Sequence, residues 1–187
     1  MKHTFRSSRL LALVLALVMV ISMVPAQAFA AGNTIVGNPE QVKLGSDAAA
    51  QRVNDFNMGW KFYLGDSSAA SNQNFDDSAW ENVNLPHDFS ISQHFTNSGE
   101  AESGFLPGGT GWYRKHFTLP DTLKGKKLFL HFEAIMGKSK IFVNGNLLTE
   151  HFGGYLPVVV DVTDALNWET DNVIAVWADN SNDPSYP

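Results

Sequence analysis

The 187-residue chain holds 13 Lys and Arg against 19 Asp and Glu, a formal net charge of −6, and no cysteine. That acidic balance argues against a nucleic-acid or anionic-membrane partner, and the lack of cysteine excludes a disulfide scaffold. The fold must rest on its own hydrophobic core, to which 13 Phe and 5 Trp contribute, and the length suffices for one domain.

Lys2, Arg6 and Arg9 precede the apolar run Leu10 to Val24, which only Ser22 interrupts and which small residues ending Ala28-Phe29-Ala30 follow. Those three parts form a secretory signal peptide of bacterial type over residues 1–30. The apolar run is shorter than the roughly 20 residues a bilayer span needs, so the expectation is cleavage after Ala30, with Ala28 as the competing site. The mature chain is then secreted or attached at the cell surface, with ten basic side chains left against 19 acidic ones. Residues 31–52, rich in Ala, Gly, Ser, Asn and Gln, read as a flexible leader, and a single domain is expected over residues 53–187.

From there the pattern is short β segments between turn residues. Gly59 to Leu64 is the first, and Val83 to Leu85 the second. Pro86 fixes φ and lacks a backbone donor, so the chain leaves the sheet there and presents His87 and Asp88 at its end. The segment Ser90 to Gly111 is a long polar loop without structure of its own. Along Trp112 to Leu119, Tyr113, Lys115, Phe117 and Leu119 share one face, while Trp112, Arg114, His116 and Thr118 share the other. Lys127 to Phe132 aligns Leu128, Leu130 and Phe132. Lys140 to Val143 and Asn146 to Thr149 flank Asn144-Gly145, a type I′ hairpin signal. Val158 to Val160 and Val173 to Ala178 complete the strands, with one helical turn around Thr163 to Asn167 capped by Asp161 or Thr163. Strands of this kind without an amphipathic helix indicate an all-β, antiparallel two-sheet sandwich.

No cofactor or metal is expected. The six histidines include no pair at the H-x3–5-H spacing that zinc uses, and neither a nucleophile elbow nor a phosphate-cradling glycine loop occurs. Adjacent acids such as Asp76 and Asp77 lie in one polar turn and cannot face each other as an opposed catalytic pair.

The segments LPHDF (Leu85 to Phe89), GTGWYRKHFTLP, FVNGNLL and GGYLPVVVDVTDAL occur in an order that resembles the N-terminal sugar-binding domain of glycoside hydrolase family 2, the family of bacterial β-galactosidases. Phe89 stands where the family form has Trp. The resemblance implies a jelly roll, galactose-binding-domain-like, and a retaining β-glycosidase whose two catalytic glutamates lie in a later barrel domain. By the resemblance the domain over residues 53–187 is incomplete at its C-terminal end, and this chain is expected to contain no catalytic residue, to be inactive alone, and to work with further domains of the same enzyme on a terminal β-galactoside or related glycan. It also implies that the loop after Pro86 faces the sugar, making Asp88 the first candidate for carbohydrate contact, with His87 and Asn180 behind it and Asp183 beside Asn180. From the residues alone, Asp88 equally forms an Asx turn and His87 equally bonds a neighbouring carbonyl. Ser90 to Gly111 either lines a subsite or packs on a neighbouring domain. Tyr113-Arg114 and Gly153-Gly154-Tyr155 read as structural. The alternative function is a free-standing carbohydrate-binding module without hydrolase activity, and a second rival is an interaction sandwich with no ligand.

Overall fold

The alternation centred on Trp112 builds the middle of the molecule. A computed structural model describes residues 42–43, 52–97, 99, 101 and 103–181. The signal peptide, most of the leader, Glu100, Glu102 and Asp183 lie outside the described residues. The strands are β1 (Val42–Lys43), β2 (Trp60–Leu64), β3 (Glu81–Val83), β4 (Thr110–Thr118), β5 (Phe129–Phe132), β6 (Lys138–Val143), β7 (Asn146–Phe152), β8 (Val158–Asp161) and β9 (Asn172–Asp179).

The larger sheet runs β3-β2-β4-β9-β6-β7, and all its neighbours along that path are antiparallel. The smaller pairs β5 with β8, also antiparallel. Among the described residues the one parallel pairing is β1 on β4, at Val42 opposite Phe117, in the stretch that the sequence assigns to the leader. The core lies between the sheets, where Phe62, Phe117, Ile141, Ile174 and Val176 meet Val158 and Val160, the two-layer arrangement of a sandwich.

β4 and β9 are also covered on their outer face. Trp112 and Ala175 pack there on Ala70, which a 3-10 turn at Ser68–Ser71 carries over the sheet. Further 3-10 turns occupy Ser90–Ser92, Asp121–Leu123 and Thr163–Ala165. Only the last matches an expected helical turn, and Asp161 shapes it by accepting from the Thr163 N–H at 3.0 Å and the Thr163 hydroxyl at 2.6 Å. Strand β5 starts at Phe129 rather than at Lys127 because the Leu128 N–H is taken by Thr163 Oγ1 at 2.9 Å. In the long loop, expected to lack structure, the Thr96 N–H donates to Phe105 O at 3.0 Å and draws the segment back on itself.

The hairpin forms as its sequence dictates, with φ of 50° at Asn144 and 85° at Gly145, both positive as a type I′ turn requires. A second glycine has a different reason. Gly137 has φ 78°, and a Cβ there would lie 2.1 Å from Asp179 O. At Gly108 the corresponding clash is with Asn180 O at 2.5 Å. The chain leaving β9 therefore runs in a slot that side chains at 108 or 137 would close.

On the inner face of β4, Lys115 is fully buried. Its ammonium donates to Met58 O and sits 4.6 Å from the Phe56 ring centre and 5.8 Å from that of Trp60. Burial pulls its pKa from 10.5 down to about 8, with Asp55 opposing, because a charge in an apolar site loses its hydration. A lysine whose folded pKa is lowered makes stability rise with pH between the folded and unfolded values. Lys115→Met should therefore raise stability at neutral pH by about 1–3 kcal/mol, and the gain should narrow as pH climbs from about 8 toward 10.5. Thermal melts of both proteins across that range check this; a variant less stable than wild type at neutral pH would show that the carbonyl and ring contacts outweigh the desolvation.

Candidate functional site

Three residues singled out from sequence come together at one end of the large sheet, where β4 begins and β9 ends. Leu85-Pro86 is a cis peptide, and the chain then turns sharply. Asp88 is exposed, and its Oδ1 accepts from the Ser90 N–H at 2.8 Å. The Asx-turn reading of Asp88 is thus realised, and the turn holds the carboxylate in one place at the surface. Phe89 turns inward, 5 % exposed, and stacks on Phe62 with ring centres 5.6 Å apart, which is the packing role expected where the family form has Trp.

Asn180 reaches this turn from the end of β9. Its side-chain amide donates to Ser90 Oγ at 3.1 Å while its Oδ1 accepts from the Gly109 N–H at 2.8 Å. The Asn180 N–H donates to Gly109 O at 3.0 Å. Asn180 is therefore a brace between three segments. His87 is half-buried, with Nδ1 2.9 Å from the Tyr113 hydroxyl and its ring 4.8 Å from that of Phe62. It bonds a side chain on β4 and not the neighbouring carbonyl that sequence offered. Burial raises the Tyr113 phenol well above its ordinary pKa, and the Asp88 carboxylate adds to the rise, so Tyr113 stays protonated and able to donate to His87.

Sequence reasoning missed two members of this cluster. Ser90 links Asp88 to Asn180, and Gly109 both donates to Asn180 Oδ1 and accepts from the Asn180 N–H; neither carries a signal, because each acts through contacts some 70 to 90 positions away in the chain. Next to Ser90 in the chain, Ile91 is 70 % exposed, so an apolar side chain adjoins the polar centre, a pairing common to sugar-binding and docking surfaces. Among the described residues no group of three or more His, Cys, Asp or Glu is placed to hold a metal ion.

Residues 83–185 match the family model for the glycosyl hydrolase 2 galactose-binding-like domain. The chain belongs to glycosyl hydrolase family 2. Over 133 residues it is 38% identical to a β-galactosidase of Bacteroides ovatus, an overlap covering 70% of this chain and 16% of that protein. It is 37% identical over 139 residues to a putative β-glucuronidase of Formosa agariphila, covering 73% and 13%. A solved glycosyl hydrolase family 2 member from Bacteroides cellulosilyticus superposes with a TM-score of 0.67 at 37% identity, covering 69% of this chain and 18% of that one. The chain thus spans less than a fifth of the length of these family 2 relatives, and the shared part is the galactose-binding-like sandwich.

The opposite end of this family 2 domain carries a second set of acids. Arg114, fully buried on the outer face of β4, donates from Nε to Asp77 Oδ2 at 2.7 Å. His116 lies between Asp77 Oδ2 at 3.0 Å and Asp171 Oδ2 at 2.6 Å. Two carboxylates flanking a common centre resemble a glycosidase pair, but a glycosidase acid needs a raised pKa. Asp77 has the reverse: bonds from His116 and Arg114 outweigh its burial and hold it below the ordinary carboxylate value. Both acids are engaged in holding cations, which makes the cluster structural.

The same bonds raise His116 above the ordinary imidazole value of 6.5, the Asp77 bond most. A raised histidine contributes stability that is complete below 6.5 and lost as pH rises through the folded value; a lowered Asp77 contributes stability present above 3.8 and lost as pH falls. His116→Gln should therefore cost most between these two pH values and progressively less on the alkaline side. Thermal midpoints of wild type and variant across pH test it, and a pH-independent difference would rule out an imidazolium at this position.

Proposed function

We propose that the chain is the sugar-positioning domain of an exported family 2 β-glycosidase that hydrolyses terminal β-galactosides with retention, and that Asp88 is its contact with the sugar. In this reading the catalytic acids lie in other domains of the enzyme, and the chain alone is inactive. The observation that carries the proposal is the exposed Asp88 carboxylate, pinned at the end of the sheet by the Ser90 N–H. A fixed carboxylate accepts sugar hydroxyls through charge-assisted bonds without first losing rotamer freedom.

The neighbours favour a neutral sugar. The groups bonded around Asp88 are Ser90, Asn180 and Gly109, with His87 and Tyr113 alongside, and none is Lys or Arg. A uronate brought to this carboxylate meets like charge with no cation to offset it. A β-glucuronide specificity is the second reading, supported by the similarity to the Formosa agariphila protein. Asn180 and His87 serve the proposal indirectly, Asn180 by locking Ser90 and His87 by fixing Tyr113 beneath the loop.

In the complete enzyme, Asp88→Asn keeps an oxygen for the Ser90 N–H and removes the charge. Loss of one charge-assisted bond, about 1.5–3 kcal/mol, should lower kcat/KM on an aryl β-galactoside roughly ten- to a hundred-fold. It should also raise turnover of an aryl β-glucuronide relative to the galactoside. Asp88→Ala should in addition lower stability by about 1 kcal/mol. Unchanged kinetics in Asp88→Asn, with a lowered thermal midpoint in Asp88→Ala, would reduce Asp88 to a turn-former.

Export is proposed from the three-part segment at residues 1–30 alone. N-terminal sequencing of secreted protein should find Ala31, or Phe29 from the competing site; secreted material beginning at Met1 would refute cleavage.

A further inference from the structure

At the end of the sandwich opposite Asp88, the Asn144–Gly145 turn and the loop over residues 72–75 enclose an open depression of about 530 Å³. Its lining includes Asn72, Gln73, Asn74, Phe75, Asn144 and Asn146. The two walls lie close together: a Cβ at Gly145 would be 3.8 Å from Gln73 N. We propose that this depression is a second binding site, for a neutral saccharide, distinct from the Asp88 end and not dependent on the reading of Asp88.

Arg114 shapes one wall. Its guanidinium collects the carbonyls of Ala70, Asn72, Gln73 and Phe75. With those carbonyls turned inward, the side chains of Asn72 and Asn74 are left exposed. Gln73 is fixed by donating to Asp171 O at 3.1 Å, and Asn144 by donating to Ala165 O at 2.8 Å while accepting from the Val173 N–H at 2.8 Å. Asn72, Asn74 and Asn146 are exposed and make no side-chain hydrogen bond among the described residues. Three amides are therefore open on a scaffold whose backbone is already held.

The chemistry selects the ligand class. A primary amide offers both donors and an acceptor, which matches vicinal hydroxyls, each of which also does both. Phe75, half-buried, with the Arg114 guanidinium 5.5 Å from its ring centre and Trp80 5.4 Å away, adds the one aromatic side chain of the lining. No charged side chain lines the depression, and the charged groups behind it are turned to one another: Arg114 and His116 bond Asp77, and His116 also bonds Asp171. The size is within the range of small-ligand pockets, roughly 300–1,000 Å³, and the fixed backbone limits the ordering cost of binding.

The test is titration of the isotopically labelled chain with lactose and with cellobiose, followed by amide resonances. The expected result is a saturable shift of the side-chain NH2 signals of Asn72, Asn74 and Asn146 with at least one of the two disaccharides. In the double variant Asn74→Ala, Asn146→Ala the same titration should give affinity at least roughly tenfold weaker, two neutral hydrogen bonds being lost. Because both side chains are exposed and unbonded, its thermal midpoint should match wild type. Absence of saturable shifts at these amides with both sugars, or unaltered affinity in the double variant, overturns the proposal.

Discussion

The buried guanidinium of Arg114 is the constraint on which the outer side of the large sheet depends. It sits at the middle of β4, fully buried on the outer face, and meets one carboxylate and four loop carbonyls. Arginine suits this place because its planar fork stays charged and offers five donors in fixed directions. The loop across residues 70–77 has few apolar side chains of its own to hold it down; the cation supplies the attachment that a hydrophobic residue could not give to carbonyl oxygens. A buried ion that loses its partner costs about 3–5 kcal/mol, so the loop, Asp77 and Arg114 form one unit.

The next residue makes the opposite choice. Lys115 points to the inner face and has one carbonyl and aromatic rings for company. Successive residues of one strand thus bury two cations on opposite faces, one fully complemented and one held mainly by ring faces and a peptide oxygen. The difference shows in their chemistry: arginine stays charged in any protein, while burial brings the Lys115 pKa down to about 8. β4 tolerates both because it is central in the sheet, bonded to β2 and β1 on one side and β9 on the other.

How much of this was legible depended on range. The two faces of β4 followed from alternation, and the Asn144–Gly145 turn followed from two residues that accept positive φ. What the alternation could not say is that Arg114, on the outer face, is as buried as the core, because the loop that covers it leaves no periodic trace. The 3-10 turns were missed for the same reason: runs of three or four residues are too short for a period. β1 was read as leader since two residues of pairing have no pattern at all. At the candidate site, Pro86 gave the place of the turn, and the family resemblance gave the role proposed for Asp88. The bonds that hold the turn join positions 90, 109 and 180, and nothing local announces them. The amide depression likewise unites segments about 70 residues apart.

The slot formed by Gly108 and Gly137 has a further meaning. The direction in which the chain departs from β9 is set by two positions that lie earlier in the sequence and never touch a ligand in any reading given above. Each works by having nothing beyond its α-carbon, with Asp179 O and Asn180 O filling the space a methyl would take. A joint made of missing atoms has no graded response to substitution: the smallest possible side chain already overlaps the passing backbone. The path of the peptide through Asp179 and Asn180 is thus set by two positions that contribute a hydrogen where any other residue would place a carbon.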